Sequence, residues 1–185
     1  MWTTLSRARG AARNRQGAFE PKPITINRRG IHSMDVTQIK HMTFAVRDAE
    51  KSLEAYKRLL GVPQATKIQE FAKSRNKAAV FDLGGIEFQI TESMDPDGRF
   101  AAWIDQRGHE GLHHICFAVE DIDAALAEAQ ANGATLKECS ACKVTGSHVH
   151  PEGWVAFLQD EVSGIEIEFM QVYKEGEGGD RPQGV

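Results

Sequence analysis

The sequence predicts an α+β fold made of two tandem βαβββ modules. Three observations support this prediction: a strand pattern that occurs twice, an amphipathic helix after each copy, and a hairpin pattern that closes each half. The first module is predicted at about residues 38–95 and the second at about residues 110–173, within a folded part that spans residues 35–173. The repeat therefore places similar side chains at equivalent positions of the two halves.

The first strand of each module carries a histidine at the same position. Residues 39–46 and residues 112–119 both alternate along a strand, and in each segment a histidine is followed five residues later by a valine. These histidines are His41 and His114. Because alternate side chains of a strand face the same side, the small residues two positions further along leave room beside each imidazole.

An amphipathic helix is predicted after each of these strands. Acidic turns at residues 47–50 and 120–123 come before each helix, where acids stabilise the positive N-terminal end. Gly61 and Gly133 follow the helices, at the position where glycine commonly ends a helix. The apolar stripes consist of Leu53, Tyr56, Leu59 and Leu60 in the first helix, and of Ile122, Ala125, Leu126 and Ala129 in the second.

A hairpin pattern closes each half. Residues 85–90 (GIEFQI) and residues 164–169 (GIEIEF) share a turn glycine, the alternation and one polar position. That position is Gln89 in the first copy and Glu168 in the second. Further strands are predicted just before these segments, at residues 78–83 and 154–158. A pseudo-twofold axis between the modules would bring both histidines and both polar residues together.

Two imidazoles, one carboxylate and one amide oxygen suit a divalent metal site. The four candidate ligands are His41, Gln89, His114 and Glu168. A mixed nitrogen and oxygen set accepts divalent Co, Mn, Ni, Zn or Fe, and it leaves positions open for substrate oxygens. A lone histidine more often completes a hydrogen bond in a core, but the repeat correlates all four residues. The sequence therefore predicts one catalytic metal ion.

Other histidines give weaker signals. His113 is expected to face the opposite side of its strand from His114 and to pack under a helix. His148 and His150 fall in a predicted loop, which either covers a substrate or is simply solvated.

Cysteine usage and charge narrow the class of protein. Three cysteines are too few for a disulfide framework, so a reducing, cytoplasmic location is expected. Cys139 and Cys142 form one C-x-x-C, which without a second pair predicts neither a zinc site nor a redox motif. A net charge of -4 over 185 residues argues against nucleic acid as a partner. No apolar run approaches the roughly 18 residues of a membrane span, so no membrane partner is expected.

The two ends of the chain differ from the rest in composition. The first 33 residues hold six arginines against one acid, which is typical of an organelle transit peptide. Residues 1–34 are therefore interpreted either as a targeting segment, with a mitochondrial matrix location, or as an unstructured arm before a natural start at Met34. Residues 174–185 are rich in glycine and are predicted to be a disordered tail.

The sequence resembles the vicinal-oxygen-chelate superfamily of glyoxalases, bleomycin resistance proteins and dioxygenases, and within it the methylmalonyl-CoA epimerase family. The resemblance covers roughly residues 39–171 and is most specific at residues 103–123 (WIDQRGHEGLHHICFAVEDID). Its other supports are His41, the FDLGG segment at 81–85, Gln89 and Glu168. This His, Gln, His, Glu set is the epimerase pattern, whereas glyoxalase I relatives usually carry glutamate in place of Gln89.

The resemblance implies a cup-shaped mixed sheet around the metal, a homodimer and an acyl-CoA substrate. In that family the metal chelates two substrate oxygens and stabilises an enolate, which implies a metal-dependent epimerase or isomerase for a methylmalonyl-CoA-like thioester. Glu168 resembles the family's acid/base carboxylate. A second carboxylate is expected, yet residues 78–81 (AAVF) hold no acid. Glu87 and Glu166, two residues before a candidate ligand and on its face, are the substitutes.

Three other functions stay open at this point. They are a glyoxalase-like lyase or isomerase acting on a thiol adduct, an extradiol-type dioxygenase with iron, and a metal-free small-molecule binding protein of the same fold. Gln89 disfavours the dioxygenase, since those sites usually need only two histidines and one glutamate. The presence of all four ligand-type residues disfavours the binding protein. Residues 94–100 and 157–161 depart from the usual epimerase sequence, which leaves the exact substrate open.

Overall fold

The computed structural model describes residues 34–177, which form nine strands and three helices. The strands are β1 (Val36–Ala45), β2 (Gln69–Phe71), β3 (Asn76–Leu83), β4 (Ile86–Ser93), β5 (Gly111–Val119), β6 (Leu136–Lys137), β7 (His148–His150), β8 (Gly153–Val162) and β9 (Ile165–Val172). The helices are α1 (Ala49–Leu60), α2 (Arg99–Arg107) and α3 (Ile122–Ala131). The predicted N-terminal segment, residues 1–33, and residues 178–185 of the predicted tail lie outside the described residues.

All nine strands belong to one open, curved sheet. Its order is β2-β3-β4-β1-β5-β9-β8-β6, with β7 paired to β8. β1 is parallel to β4, β5 is parallel to β9, and β1 and β5 meet antiparallel in the middle. Each half therefore has a parallel pair, a helix and an antiparallel hairpin, and the edge strand of the second half is divided into β6 and β7, both paired with β8. This arrangement confirms the predicted α+β fold of βαβββ modules.

Helices α1 and α3 begin and end as their sequences predict. The Asp48 side chain accepts a hydrogen bond from the backbone N–H of Lys51 at 2.8 Å, and the Asp121 side chain accepts one from Ala124 at 3.0 Å. These are matching N-terminal caps, each of which typically stabilises a helix by ~1 kcal/mol. Gly61 ends α1 with a φ of 71°, a left-handed conformation that glycine adopts without steric cost.

Each of these helices packs on the sheet face opposite His41. Leu53 of α1 packs with Ala79, Phe81 and Ile90 of β3 and β4. The whole predicted stripe of α3 is buried against β5, β8 and β9. The prediction that Leu59 and Leu60 belong to the apolar stripe of α1 is wrong. Their exposed fractions are 68% and 58%, and neither residue is part of this cluster.

Helix α2 lies on the other face, the one that carries His41, called here the site face. Its Phe100, Trp103 and Ile104 pack with Ala45 at the end of β1. The loop predicted around His148 and His150 instead forms β7, which pairs with β8 at the sheet edge. Among residues 34–177, no helix has the length and apolar character needed to cross a membrane.

Candidate active site

Two transverse rows of side chains cross the middle of the sheet on the site face. Backbone pairing across β4, β1, β5 and β9 places in the first row Glu87, His41, Cys116 and Glu168. The second row, in the same strand order, holds Gln89, Thr43, His114 and Glu166. The repeat relates the two rows, because each residue of the first row has its counterpart from the other module in the second row. The strand order of these counterparts is reversed. The internal repeat therefore brings all the predicted site residues onto one surface.

Three of the four predicted metal ligands meet at one oxygen atom. Oε2 of Glu168 lies 3.2 Å from Nε2 of His41 and 3.1 Å from Nε2 of His114. The two imidazoles are arranged edge to face, with 5.5 Å between ring centroids. All three residues are buried, with at most 5% of their surface exposed. Two imidazole nitrogens thus converge on one carboxylate oxygen, Oε2 of Glu168.

Gln89, the fourth predicted ligand, faces the same side, and its side chain forms hydrogen bonds with residues of β1 and β4. Its Oε1 accepts a hydrogen bond from the Thr43 hydroxyl at 2.9 Å, and its Nε2 donates to Glu87 at 2.7 Å. An amide oxygen has two lone pairs, so one remains for a metal when Thr43 occupies the other. Thr43 thereby fixes the orientation of the candidate ligand.

The charges of the three central groups depend on one another. Burial would raise the pKa of Glu168, but contact with His41 and His114 holds that pKa well below its usual value of 4.5. Burial also disfavours protonation of His41, yet the Glu168 carboxylate outweighs this effect and raises the pKa of His41. For the enclosed His114, burial prevails and lowers the pKa. Glu168 is therefore ionised at neutral pH, the form in which a carboxylate binds metal.

His113 orients the ring of His114 through a contact with its second nitrogen, Nδ1. Its Nδ1 lies 2.8 Å from Nδ1 of His114, and its ring packs against Phe100 and Trp103 of α2. The predicted packing under a helix is confirmed, but the predicted orientation away from His114 is wrong. Within the described pairing of β1 and β5, a register shift leaves His113 without a cross-strand partner, and such bulges break the alternation of side chains.

The donor set fits a divalent metal ion. The Nε2 atoms of His41 and His114 both point at an ionised carboxylate oxygen, and the remaining nitrogen of His114 is held by His113. Metal-binding histidines are typically oriented in this way by a hydrogen bond to their second nitrogen. His41, His114 and Glu168 are thus able to hold a metal, with Gln89 on the neighbouring strand.

Cys116 is a site residue that the sequence analysis treated only as a small neighbour. Its sulfur lies within 4.8 Å of ligand atoms of both His41 and Glu168, and the residue is fully buried. Burial raises the pKa of this thiol, so it stays protonated and is a weak competitor for a metal. The strand alternation that put Cys116 on the face of His114 was the available signal.

Glu166, one of the two substitutes for the second base, is neutralised by cations. Its carboxylate accepts hydrogen bonds from Arg99 and Lys137, both at 2.6 Å. Burial would raise the pKa of Glu166, but these two cations lower it overall. Arg99 occupies Oε2 and Lys137 occupies Oε1, so neither oxygen of Glu166 is free to accept a substrate proton. The contacts of Glu166 are therefore those of a structural residue.

Glu87, the other substitute, lies beside an open pocket. Its carboxylate accepts the hydrogen bond from Gln89 and lies 3.9 Å from the ammonium group of Lys40. The pocket has a volume of about 300 Å³ and is also lined by Val80 and Asp82. Lys40 sits at a register shift of β1 and also binds Glu152 at 2.9 Å. Glu87 is thus the more accessible of the two candidate carboxylates.

Comparison with known proteins gives one consistent picture. A family model for the Glyoxalase/Bleomycin resistance protein/Dioxygenase superfamily matches residues 40–151. Mitochondrial methylmalonyl-CoA epimerase of Homo sapiens is 27% identical over 137 residues, which cover 72% of this chain and 73% of the relative. Ethylmalonyl-CoA/methylmalonyl-CoA epimerase of Cereibacter sphaeroides is 26% identical over 139 residues, which cover 74% of this chain and 99% of the relative.

Solved structures agree with this picture at the level of the fold. A Streptomyces coelicolor methylmalonyl-CoA epimerase variant in complex with 2-nitronate-propionyl-CoA aligns with a TM-score of 0.56 at 20% identity. The match covers 76% of this chain and all of the other chain. At this identity the likeness shows a shared fold and leaves the chemistry to the residues of the site.

Proposed function

Because the chain belongs to the Glyoxalase/Bleomycin resistance protein/Dioxygenase superfamily, we propose that it is a metal-dependent epimerase of a methylmalonyl-CoA-like thioester. The observation that carries the proposal is the meeting of His41 Nε2 and His114 Nε2 at Oε2 of Glu168. The substrate class is supported by the two relatives named as methylmalonyl-CoA epimerases and by the acyl-CoA analogue bound to the Streptomyces coelicolor enzyme.

The metal would be held by His41, His114 and Glu168, with Gln89 as the fourth ligand. Divalent Co, Mn, Ni, Zn and Fe all suit these nitrogen and oxygen donors. When bound, such an ion supplies Lewis-acid stabilisation of the negative charge that develops on the thioester oxygen during proton removal. His113 and Thr43 act as positioning residues, since each holds one ligand through a hydrogen bond.

Glu168 is assigned the first proton transfer. Its contacts with both histidines use Oε2, so Oε1 is the oxygen that accepts the proton from the substrate alpha carbon. The electron pair of the broken C–H bond moves into the thioester carbonyl and gives a planar enolate. Because Glu168 is buried and ionised, it meets the substrate as a base without first losing a proton to water.

Glu87 is assigned the second proton transfer, which completes epimerisation. It lies in the same row as Glu168 and is separated from it by His41 and Cys116. A planar enolate above this row would present one face to each carboxylate. Return of a proton from Glu87 inverts the alpha carbon, whereas return from Glu168 restores the original epimer. Glu87 takes the proton that it returns from water in the open pocket, and Glu168 releases the proton that it removed to water after the product leaves.

We also propose that the protein acts as a homodimer in a reducing compartment. The family resemblance supports the dimer, and the three free thiols, Cys116, Cys139 and Cys142, support the compartment. Cytoplasm is the proposed location, and the mitochondrial matrix is the alternative if residues 1–33 act as a targeting segment.

Exchange of the alpha proton of methylmalonyl-CoA in deuterated water tests the function. The purified protein is assayed with Co²⁺ or Mn²⁺, with and without a chelator, beside the Glu168→Ala variant and a Glu166→Gln control. Metal-dependent exchange that Glu168→Ala abolishes and Glu166→Gln retains supports the proposal. Stoichiometric metal binding with no exchange under any of these conditions rejects the epimerase and leaves another reaction of the superfamily.

A further inference from the structure

A second group of metal-type ligands lies between β6 and β8. The sulfur atoms of Cys139 and Cys142 and one imidazole nitrogen of His148 all lie within 4.8 Å of one another. Cys139 and His148 are each 7% exposed, while Cys142 is partly exposed. None of the three belongs to the two rows of the candidate active site. The C-x-x-C that carried no conclusion in the sequence thus gains a third ligand from β7.

The backbone around the two cysteines is folded into a tight turn. The N–H of Lys143 donates to the carbonyl of Cys139 at 2.8 Å, and the N–H of Cys139 donates to the carbonyl of Val144 at 2.9 Å. Lys143 has a φ of 59°, in the left-handed region that a sharp turn requires. The N–H of Cys142 donates to the Cys139 sulfur at 3.4 Å. Such a bond stabilises a thiolate, which is the form of cysteine that binds metal.

His148 is oriented as a metal ligand. Its Nδ1 lies 3.0 Å from the carbonyl oxygen of Gly146 and so carries a proton, which leaves the lone pair of the neutral imidazole on Nε2. Nε2 is buried and has no hydrogen-bond partner among residues 34–177. Metal-bound histidines commonly donate their other N–H to a backbone carbonyl, as His148 does here. A buried imidazole nitrogen beside the sulfurs of Cys139 and Cys142 is placed as a metal ligand would be.

We propose that Cys139, Cys142 and His148 form a second metal site, which takes a thiophilic divalent ion such as Zn²⁺. Two thiolates and one imidazole supply three of the four ligands of a tetrahedral zinc centre. A Zn–S bond of ~2.3 Å places two sulfurs of such a centre about 3.8 Å apart, within the spacing of this cluster. A cavity of about 60 Å³ borders Cys139 and has room for a solvent molecule beside this residue.

This second site would stiffen one wall of the candidate active site. Cys139 packs with Cys116, Val155, Phe157 and Met170 in one buried cluster. The ring of Phe157 lies 6.1 Å from the ring of His148 and 6.4 Å from that of His114. A metal bound to the turn therefore holds the chain segment that packs next to both rows. The two sites differ in donor type, since one offers two thiolates, whereas the other offers nitrogen and oxygen beside the protonated thiol of Cys116.

Cobalt absorption separates the two sites. Bound thiolates give Co²⁺ an intense sulfur-to-metal charge-transfer band that nitrogen and oxygen ligands do not produce. Titration of the reduced, full-length, metal-free protein with Co²⁺ is expected to raise this band until one equivalent is bound to sulfur. Cys142→Ser and His148→Ala should weaken or abolish the band, and Zn²⁺ should bleach it by displacement. Glu168→Gln, which alters the other site, should leave it intact.

Alkylation of the wild-type protein gives a second measurement that needs no variant. Zn²⁺ should protect Cys139 and Cys142 from a thiol reagent, as read by mass spectrometry of peptides, while Mn²⁺ should not, because it prefers oxygen and nitrogen donors. The proposal is overturned if reduced protein gives no thiolate band with Co²⁺, if the band survives a Cys139→Ser, Cys142→Ser double variant, or if Zn²⁺ protects neither thiol.

Discussion

Glu87 and Glu168 stand in one row across the sheet, four strands wide, with only His41 and Cys116 between them. Glu168 is enclosed and paired with two imidazoles, whereas Glu87 lies beside the open pocket near Lys40. Two carboxylates on either side of the proposed metal centre suit inversion at a carbon atom, because one can remove a proton and the other return one. Both carboxylates belong to equivalent hairpins of the repeat.

Replacing Glu87 should separate proton exchange from epimerisation. In Glu87→Gln, Glu168 still removes and returns the alpha proton on one face, so one epimer of the substrate continues to take up deuterium. Inversion should slow by about 100-fold or more, the usual contribution of a positioned acid or base. Nuclear magnetic resonance and chiral analysis of a single epimer measure both rates. Glu166→Gln is the matched control, and wild-type epimerisation by Glu87→Gln would contradict the assignment.

Glu166 should matter for stability more than for chemistry. Glu166→Gln removes the charged partner of Arg99 and Lys137 and should lower the free energy of unfolding by about 1.5–3 kcal/mol, as expected for buried hydrogen bonds to charged groups. Because its pKa is lower in the folded protein, this stabilisation is present above the usual pKa of 4.5 and is lost as the pH falls through the folded pKa.

Urea unfolding at several pH values measures this effect. The difference between wild type and Glu166→Gln should be full at pH 7 and should shrink below the usual pKa of 4.5. Equal stabilities at pH 7, or a difference that grows as the solution becomes more acidic, would show that the two cations do not stabilise this carboxylate.

Thr43 should influence metal affinity without touching the metal. Thr43→Val keeps the shape of the side chain but removes the hydroxyl that donates to Gln89 at 2.9 Å. Loss of such an orienting contact typically weakens metal binding by about 10- to 100-fold. Calorimetric titration with Mn²⁺ measures the change. Thr37→Val is a matched control on the same strand, since Thr37 donates to the Ala118 carbonyl instead. Equal affinities for both variants would show that Gln89 is not a ligand.

The sequence alone predicted much of the site because its signals are local. The two-residue period of a strand puts Glu87 with Gln89 and Glu166 with Glu168 on single faces, and the repeat matches these pairs across the modules. The helices were predicted from the acidic turns at residues 47–50 and 120–123 and from the apolar stripes that follow, patterns that involve only neighbouring residues. Where the backbone keeps its regular period, residue spacing is therefore enough to place a side chain.

Other features depended on irregular backbone or on distant residues. A bulge turns His113 toward His114, and no spacing rule indicates such a bulge in advance. Arg99 comes from α2 and Lys137 from β6, so only the folded chain shows that they neutralise Glu166. His148 meets Cys139 and Cys142 only after β7 pairs with β8. Long-range pairing, rather than local pattern, decides these contacts.

A divalent ion at His41, His114 and Glu168 is proposed to drive removal of the substrate proton, and one titration tests this role. Chelator-treated protein is titrated with Mn²⁺, which avoids thiolates, while bound metal and alpha-proton exchange of methylmalonyl-CoA are measured in the same samples. We predict that exchange rises in proportion to bound Mn²⁺ and levels off at one equivalent. Full exchange in the metal-free protein, or one bound equivalent without exchange, would show that the metal does not drive proton removal.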